Sequence, residues 1–167
     1  MAVHDQRIKY LDQLNSLVKT PATKGSIIGM KAHDYIVFSG PNADVDKAYQ
    51  MCKEAVDLEK ATSDYFMFQD FMDVSSRKLK KDDTHKEQFI QDYLTASAYA
   101  DEALKAATKE RDKKNLKLAK DNVDAYFINS GAASCENLQE IYGPKVAQNK
   151  TNLDYLKQVI SVMQMLK

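Results

Sequence analysis

Apolar residues along this chain recur mostly at three- and four-residue steps, the period of an amphipathic helix. Over about 4–20, Ile8, Leu11, Leu14, Leu17 and Val18 form one such stripe. Thr20-Pro21 closes it, because the residue before a proline is pushed out of the helical region. Residues 26–38 are ambiguous: Ile27, Ile28, Tyr35, Ile36 and Phe38 suit a weak helix or arm, whereas 35–38 alone also suits a strand. Ser39-Gly40-Pro41-Asn42 is a break, since glycine accepts a left-handed helix end and proline forbids continuation. From Asp44 a long stripe (Val45, Ala48, Tyr49, Cys52, Ala55, Val56, Thr62, Tyr65, Phe66, Met72) predicts the longest helix, running to about Leu79. Thr84-His85-Lys86-Glu87 reads as a capping box. It opens a helix that carries Phe89, Ile90, Tyr93, Leu94, Ala100, Ala103, Leu104 and Ala107 and ends near Lys109. A further helix over about 111–129 shows Leu116, Ala119, Val123, Tyr126 and Phe127 before a Ser130-Gly131 stop. Ser134 caps a short helical stretch through Leu138, Ile141 and Tyr142, which Gly143-Pro144 breaks. The last helix carries Val146, Leu153, Leu156, Val159, Ile160, Met163 and Leu166.

Four apolar-striped helices joined by short links hide their stripes against one another, and short links make neighbours antiparallel. The expected fold is therefore all-α: an up-down-up-down four-helix bundle over 44–167. It is preceded by an N-terminal extension, 1–43, holding a short helix and an arm. The similarity between 35–40 and 126–131, each an aromatic run closed by Ser-Gly, is that of two helix stops rather than a duplication. A helix over 44–79 would be roughly 50 Å long at 1.5 Å per residue. Cys52 near its start and Cys135 in a link at the far end would then lie beyond the roughly 7 Å Cα separation that a disulfide tolerates. Both thiols are expected to be free.

Composition narrows the partners. The 24 Lys+Arg balance 24 Asp+Glu, for a formal net charge of +0. Nucleic acid and anionic membranes are disfavoured, because each needs a cationic surplus to displace counterions. No apolar run approaches the roughly 18 residues that span a bilayer, so a soluble chain with no transmembrane segment is expected. Met1-Ala2-Val3-His4-Asp5 has no apolar signal core. The chain is thus expected to be cytoplasmic if Met1 is native, or to have lost a targeting segment if Met1 was introduced.

Catalytic patterns are missing from the sequence. The Glu-x-x-His step of metal-binding bundles is absent. His4, His33 and His85 are scattered, and His85 beside Asp82 and Asp83 reads as a solvated cap rather than a metal site. Cys52 sits on an apolar stripe, and neither cysteine has a histidine nearby to activate it. No phosphate cradle, Cys-x-x-Cys pair or serine elbow occurs. The expectation is a protein without catalytic residues, metal or cofactor. Tyr65-Phe66-Met67-Phe68, with Phe71 and Met72, places apolar atoms all round one helix, so something must cover its outer side. Either the N-terminal extension folds back on it, or it is an exposed docking patch. As a patch it comprises Tyr65, Phe66, Phe68 and Phe71 with the nearby Lys78, Lys80 and Lys81, whose charges would steer docking.

In the C-terminal half, Lys113-Lys114-x-Leu116, Val123-Asp124 and Tyr142-Gly143-x-x-Val146, followed by Leu153 and Leu156, resemble the last two helices of the Q-type extrinsic subunits of photosystem II. Glu87-Gln88-Phe89-Ile90-Gln91-Asp92 resembles another segment of that family. The chain differs from the family in lacking Trp and in placing Pro144 after the Tyr-Gly step. The resemblance implies a four-helix bundle in the chloroplast thylakoid lumen, peripheral to the membrane through its partners. Those partners would be the photosystem II core and its other extrinsic subunits, with the protein supporting the oxygen-evolving complex non-catalytically. The competing expectation is a cytosolic helical adaptor or scaffold that mediates protein–protein interaction.

Overall fold

A computed structural model of the chain describes residues 2–148 together with 150, 151, 153, 156, 157, 159 and 160. Among these the chain is all-α, with seven α-helices and no strand. They are α1 (Ala2–Leu17), α2 (Pro21–Ser39), α3 (Val45–Glu59), α4 (Tyr65–Lys81), α5 (Lys86–Ala106), α6 (Glu110–Asn129) and α7 (Cys135–Gln148).

The weak arm is a full helix. α2 opens with Pro21 in its first turn, where a missing N–H costs nothing. It ends at Gly40, whose φ of 53° supplies the left-handed stop. Ile27, Ile28, Ala32 and Ile36 of α2 are buried, and all but Ile27 belong to the cluster formed by the rest of the core.

The single long helix over 44–79 is corrected to two helices. The chain leaves α3 at Lys60, a non-glycine residue at φ 53° and ψ −129°, and a 3₁₀ turn over Lys60–Thr62 leads into α4. The Thr62 hydroxyl donates to the Glu59 carbonyl at 2.6 Å, so short polar side chains compete here with the helix. The turn at 39–44 has nearly the same backbone, with Gly40 at φ 53°, ψ −131° and an aspartate opening the next helix. The capping box at Thr84 is also corrected. The Asp82 carboxylate accepts from both the Thr84 amide and hydroxyl, the segment Asp83–His85 is 3₁₀, and α5 starts at Lys86. α6 keeps its expected span and ends before Gly131 at φ 74°. The break at Gly143-Pro144 is a third correction, because α7 runs through Pro144. The expected last helix lies mostly outside the described residues.

Cross-helix pairs give the relative directions. Arg7 pairs with Asp34 and Lys31 with Asp12, so α1 and α2 are antiparallel. Gly25 lies against Glu59 while Tyr35 lies under Lys47, so α2 and α3 are too. Asp46 meets Lys78 and Tyr49 stacks on Phe71 across α3 and α4. Phe89 stacks on Phe127 and Tyr93 bonds Asp124 across α5 and α6. Alternate helices run the same way: His33 bonds Asp70 as Gly40 receives Arg77, and Gln69 receives Asn122 as Asp73 meets Tyr126. α4 is central, touching α2, α3, α5 and α6. That position explains why it is apolar nearly all round: Met67, Phe68, Phe71, Met72 and Val74 are all buried. α2 covers its outer side, with Gly29 against Met67 and the His33 ring 4.9 Å from the Phe66 ring.

Candidate functional site

The most polar interior cluster sits where α3, α4 and α5 meet. Asp92 is 1% exposed. Its Oδ1 accepts from the Tyr49 hydroxyl at 3.2 Å and from Gln88 Nε2 at 2.9 Å, and its Oδ2 accepts from the Ser75 hydroxyl at 2.6 Å. His85 Nε2 lies 3.1 Å from Ser75 Oγ and 3.7 Å from Asp92 Oδ2. The solvated cap expected at His85 is therefore corrected: the ring is buried, edge-on to Tyr49. Burial pulls its pKa below the usual histidine value, with Asp92 opposing.

A serine, a histidine and an aspartate in contact invite comparison with a hydrolytic triad, but the roles are wrong. A nucleophilic serine gives its proton to histidine, whose other nitrogen is oriented by the carboxylate. Here Ser75 gives its single proton to Asp92, so the ring must donate to Ser75 through Nε2. Ser75 is also 0% exposed. The arrangement satisfies a buried carboxylate and ties three helices together. Sequence reading missed it because Tyr49, Ser75 and Asp92 come from three different helices, with Tyr49 and Asp92 43 positions apart, and only packing brings them together.

A second polar seam lies between α4 and α6. Asn122 donates to Gln69 at 2.9 Å, Asp73 faces Tyr126, and Arg77 Nη2 pairs with Asp73 at 2.6 Å. Burial and then Asp73 push the Tyr126 hydroxyl pKa up. Burial also raises that of Asp70, which His33 holds at 2.7 Å. Lys80 completes the rim of this groove of about 390 Å³.

The expected docking patch is dispersed and is corrected as a single surface. Phe68 and Phe71 are 0% and 1% exposed core residues. Phe66 packs on His33 and Tyr65. Lys78 and Lys81 both pair with Asp46, and Lys78 also stands over the Tyr49 ring. Tyr65 is exposed at the far end of α4, and exposed Lys80 faces the α4–α6 groove.

Asp82 is occupied as a helix cap, and no group of three or more potential metal ligands occurs among the described residues. Cys52 is free and fully buried, and burial pushes its thiol pKa up. The Cys135 side chain lies outside the described residues, so the expectation for that thiol does too. No described helix is long and apolar enough to cross a membrane. No protein-family model, curated protein or solved structure matches the chain.

Proposed function

We propose that this protein works by docking on a larger protein, without chemistry of its own, and that the docking surface is the α4–α6 groove. One contrast carries the reading. The side chains suited to chemistry, Ser75, His85, Asp92 and Cys52, are buried and tied into packing. The polar side chains of the groove instead stand along two parallel helices, where an incoming segment can reach them. Grooves between helices that present amide and charged groups suit specific recognition more than strong apolar adhesion.

The partner implied by the C-terminal resemblance is the lumenal face of photosystem II, with the protein supporting the oxygen-evolving centre from the thylakoid lumen. On that reading the helices after Asp44 form an up-down-up-down bundle. The second reading is a cytosolic helical adaptor, which fits the central placement of α4 among α2, α3, α5 and α6.

Reconstitution with salt-washed photosystem II membranes separates the two. Rebinding at low salt with recovered oxygen release supports the photosystem partner, and no rebinding removes it. Loss of rebinding in Lys80→Glu, with folding intact, assigns the contact to the groove; unchanged rebinding removes the groove as the docking face.

A further inference from the structure

We infer that the cleft between the 60–65 turn and the start of α6 binds a small molecule carrying an oxyanion at one end and ammonium or hydroxyl donors at the other. The cleft is about 490 Å³ and lies at the opposite end of α4 and α6 from Lys80 and Asn129.

Both α4 and α6 open onto it. A helix start carries partial positive charge and free amides, which attract anions. Neither start is capped by its own side chains. Lys109 and Arg111 stand on the same rim, both exposed. The matching turn at 39–44 shows what is missing. There, Asp44 Oδ1 accepts from the Asp46 and Lys47 amides at 3.0 and 3.1 Å, closing the start of α3. Asp64, in the equivalent place, leaves the first amides of α4 unclaimed and lines the cleft instead.

Ser63 supplies an independent sign. It takes the position that Ala43 holds in the other turn, is 5% exposed, and its hydroxyl has no hydrogen-bond partner. A buried hydroxyl without a partner is costly and is normally avoided, and Ser63 is one of the residues that line the cleft. The rest of that wall is small or flat: Ala103, Ala106 and Ala107 leave room, and the Tyr65 ring is 41% exposed.

Charge defines the ligand further. Lys109 and Arg111 are balanced by Asp64 and Asp112, so the lining is formally neutral. A polyanion would meet two carboxylates, whereas a molecule with an anionic group and hydrogen-bond donors satisfies both pairs.

The test is a titration of the full, isotope-labelled chain, followed by amide chemical shifts, with glucosamine 6-phosphate and separately with inorganic phosphate. Saturable shifts are expected at Tyr65, Phe66, Arg111 and Asp112, with the amino sugar phosphate binding at least several-fold tighter than phosphate. Arg111→Ala should weaken binding tenfold or more and Ser63→Ala several-fold, while Lys80→Ala leaves it unchanged. Unsaturable shifts spread over surface lysines overturn the proposal. So does equal binding of the two probes, or full binding by the Arg111→Ala protein.

Discussion

Replacing Asp92 by alanine should be among the most damaging single changes in this protein, and the magnitude follows from its partners. The carboxylate is 1% exposed and accepts from Tyr49, Gln88 and Ser75. Gln88 is exposed and can turn to water, so its loss costs little. Tyr49 and Ser75 are buried, and each donor left without an acceptor costs about 1–3 kcal/mol. Ser75 has one escape: it can turn to His85 Nε2, 3.1 Å away, if the ring changes tautomer. The expected loss is therefore about 3–4 kcal/mol, most of it through Tyr49 and the lost packing. Asp92→Asn keeps one acceptor and should recover roughly half. Urea unfolding followed by circular dichroism at neutral pH measures both, with the slope checked for constancy. A double-mutant cycle with Ser75→Ala should show a coupling above about 1 kcal/mol. A loss below about 1 kcal/mol for Asp92→Ala, or strict additivity in the cycle, refutes the view that this carboxylate ties the three helices together.

Gly25→Ala places a Cβ 2.5 Å from Glu59 Cγ and 3.0 Å from the Ala55 carbonyl oxygen, which as backbone cannot yield. It should cost about 1–3 kcal/mol despite the better helix propensity, whereas Gly29→Ala meets only the flexible Met67 thioether and should cost less, both read by thermal unfolding. Lys60→Gly removes a left-handed non-glycine residue and should stabilise by about 1 kcal/mol; a lower melting temperature would contradict that. Burial, and then Asp64, push the Glu59 pKa up to about 7. A raised folded pKa means that this stabilisation is complete below the unfolded value near 4.5 and is lost as pH rises through about 7. Unfolding at pH 5 and pH 8 should thus show Glu59→Gln gaining on the wild type by about 1–2 kcal/mol at the higher pH, allowing for partial solvent screening. Phe68→Ala should cost about 3–5 kcal/mol as a core truncation, whereas exposed Lys80→Ala should leave the unfolding midpoint unchanged.

The helical stripes were legible because burial imposes its period on the residues that carry it. α5 and α6, the stop at Gly131, the break at Gly40 and the buried Cys52 all stand in the composition of their own segments. The split between α3 and α4 was not legible in the same way, because Lys60 holds a backbone conformation that usually announces itself as glycine. Thr62-Ser63-Asp64, a cluster with helix-start chemistry, was the signal available there. Pro144 misled in the other direction, since α7 continues through a residue that normally ends a helix.

The aromatic run of α4 shows where local reading ends. Its sequence requires cover on every side but does not say by what; the structure supplies α2, α3, α5 and α6. The same holds for function-bearing groups. His85 reads as solvated among Asp82, Asp83 and Lys86, and is buried in the fold, where Tyr49 of α3 and Ser75 of α4 pack against its ring. The sequence alone determined that this is an all-helical chain with balanced charge and apolar stripes to bury. Which helices pair, which carboxylates end up inside and which polar faces stay open were decided by tertiary packing, because those outcomes depend on contacts between residues tens of positions apart.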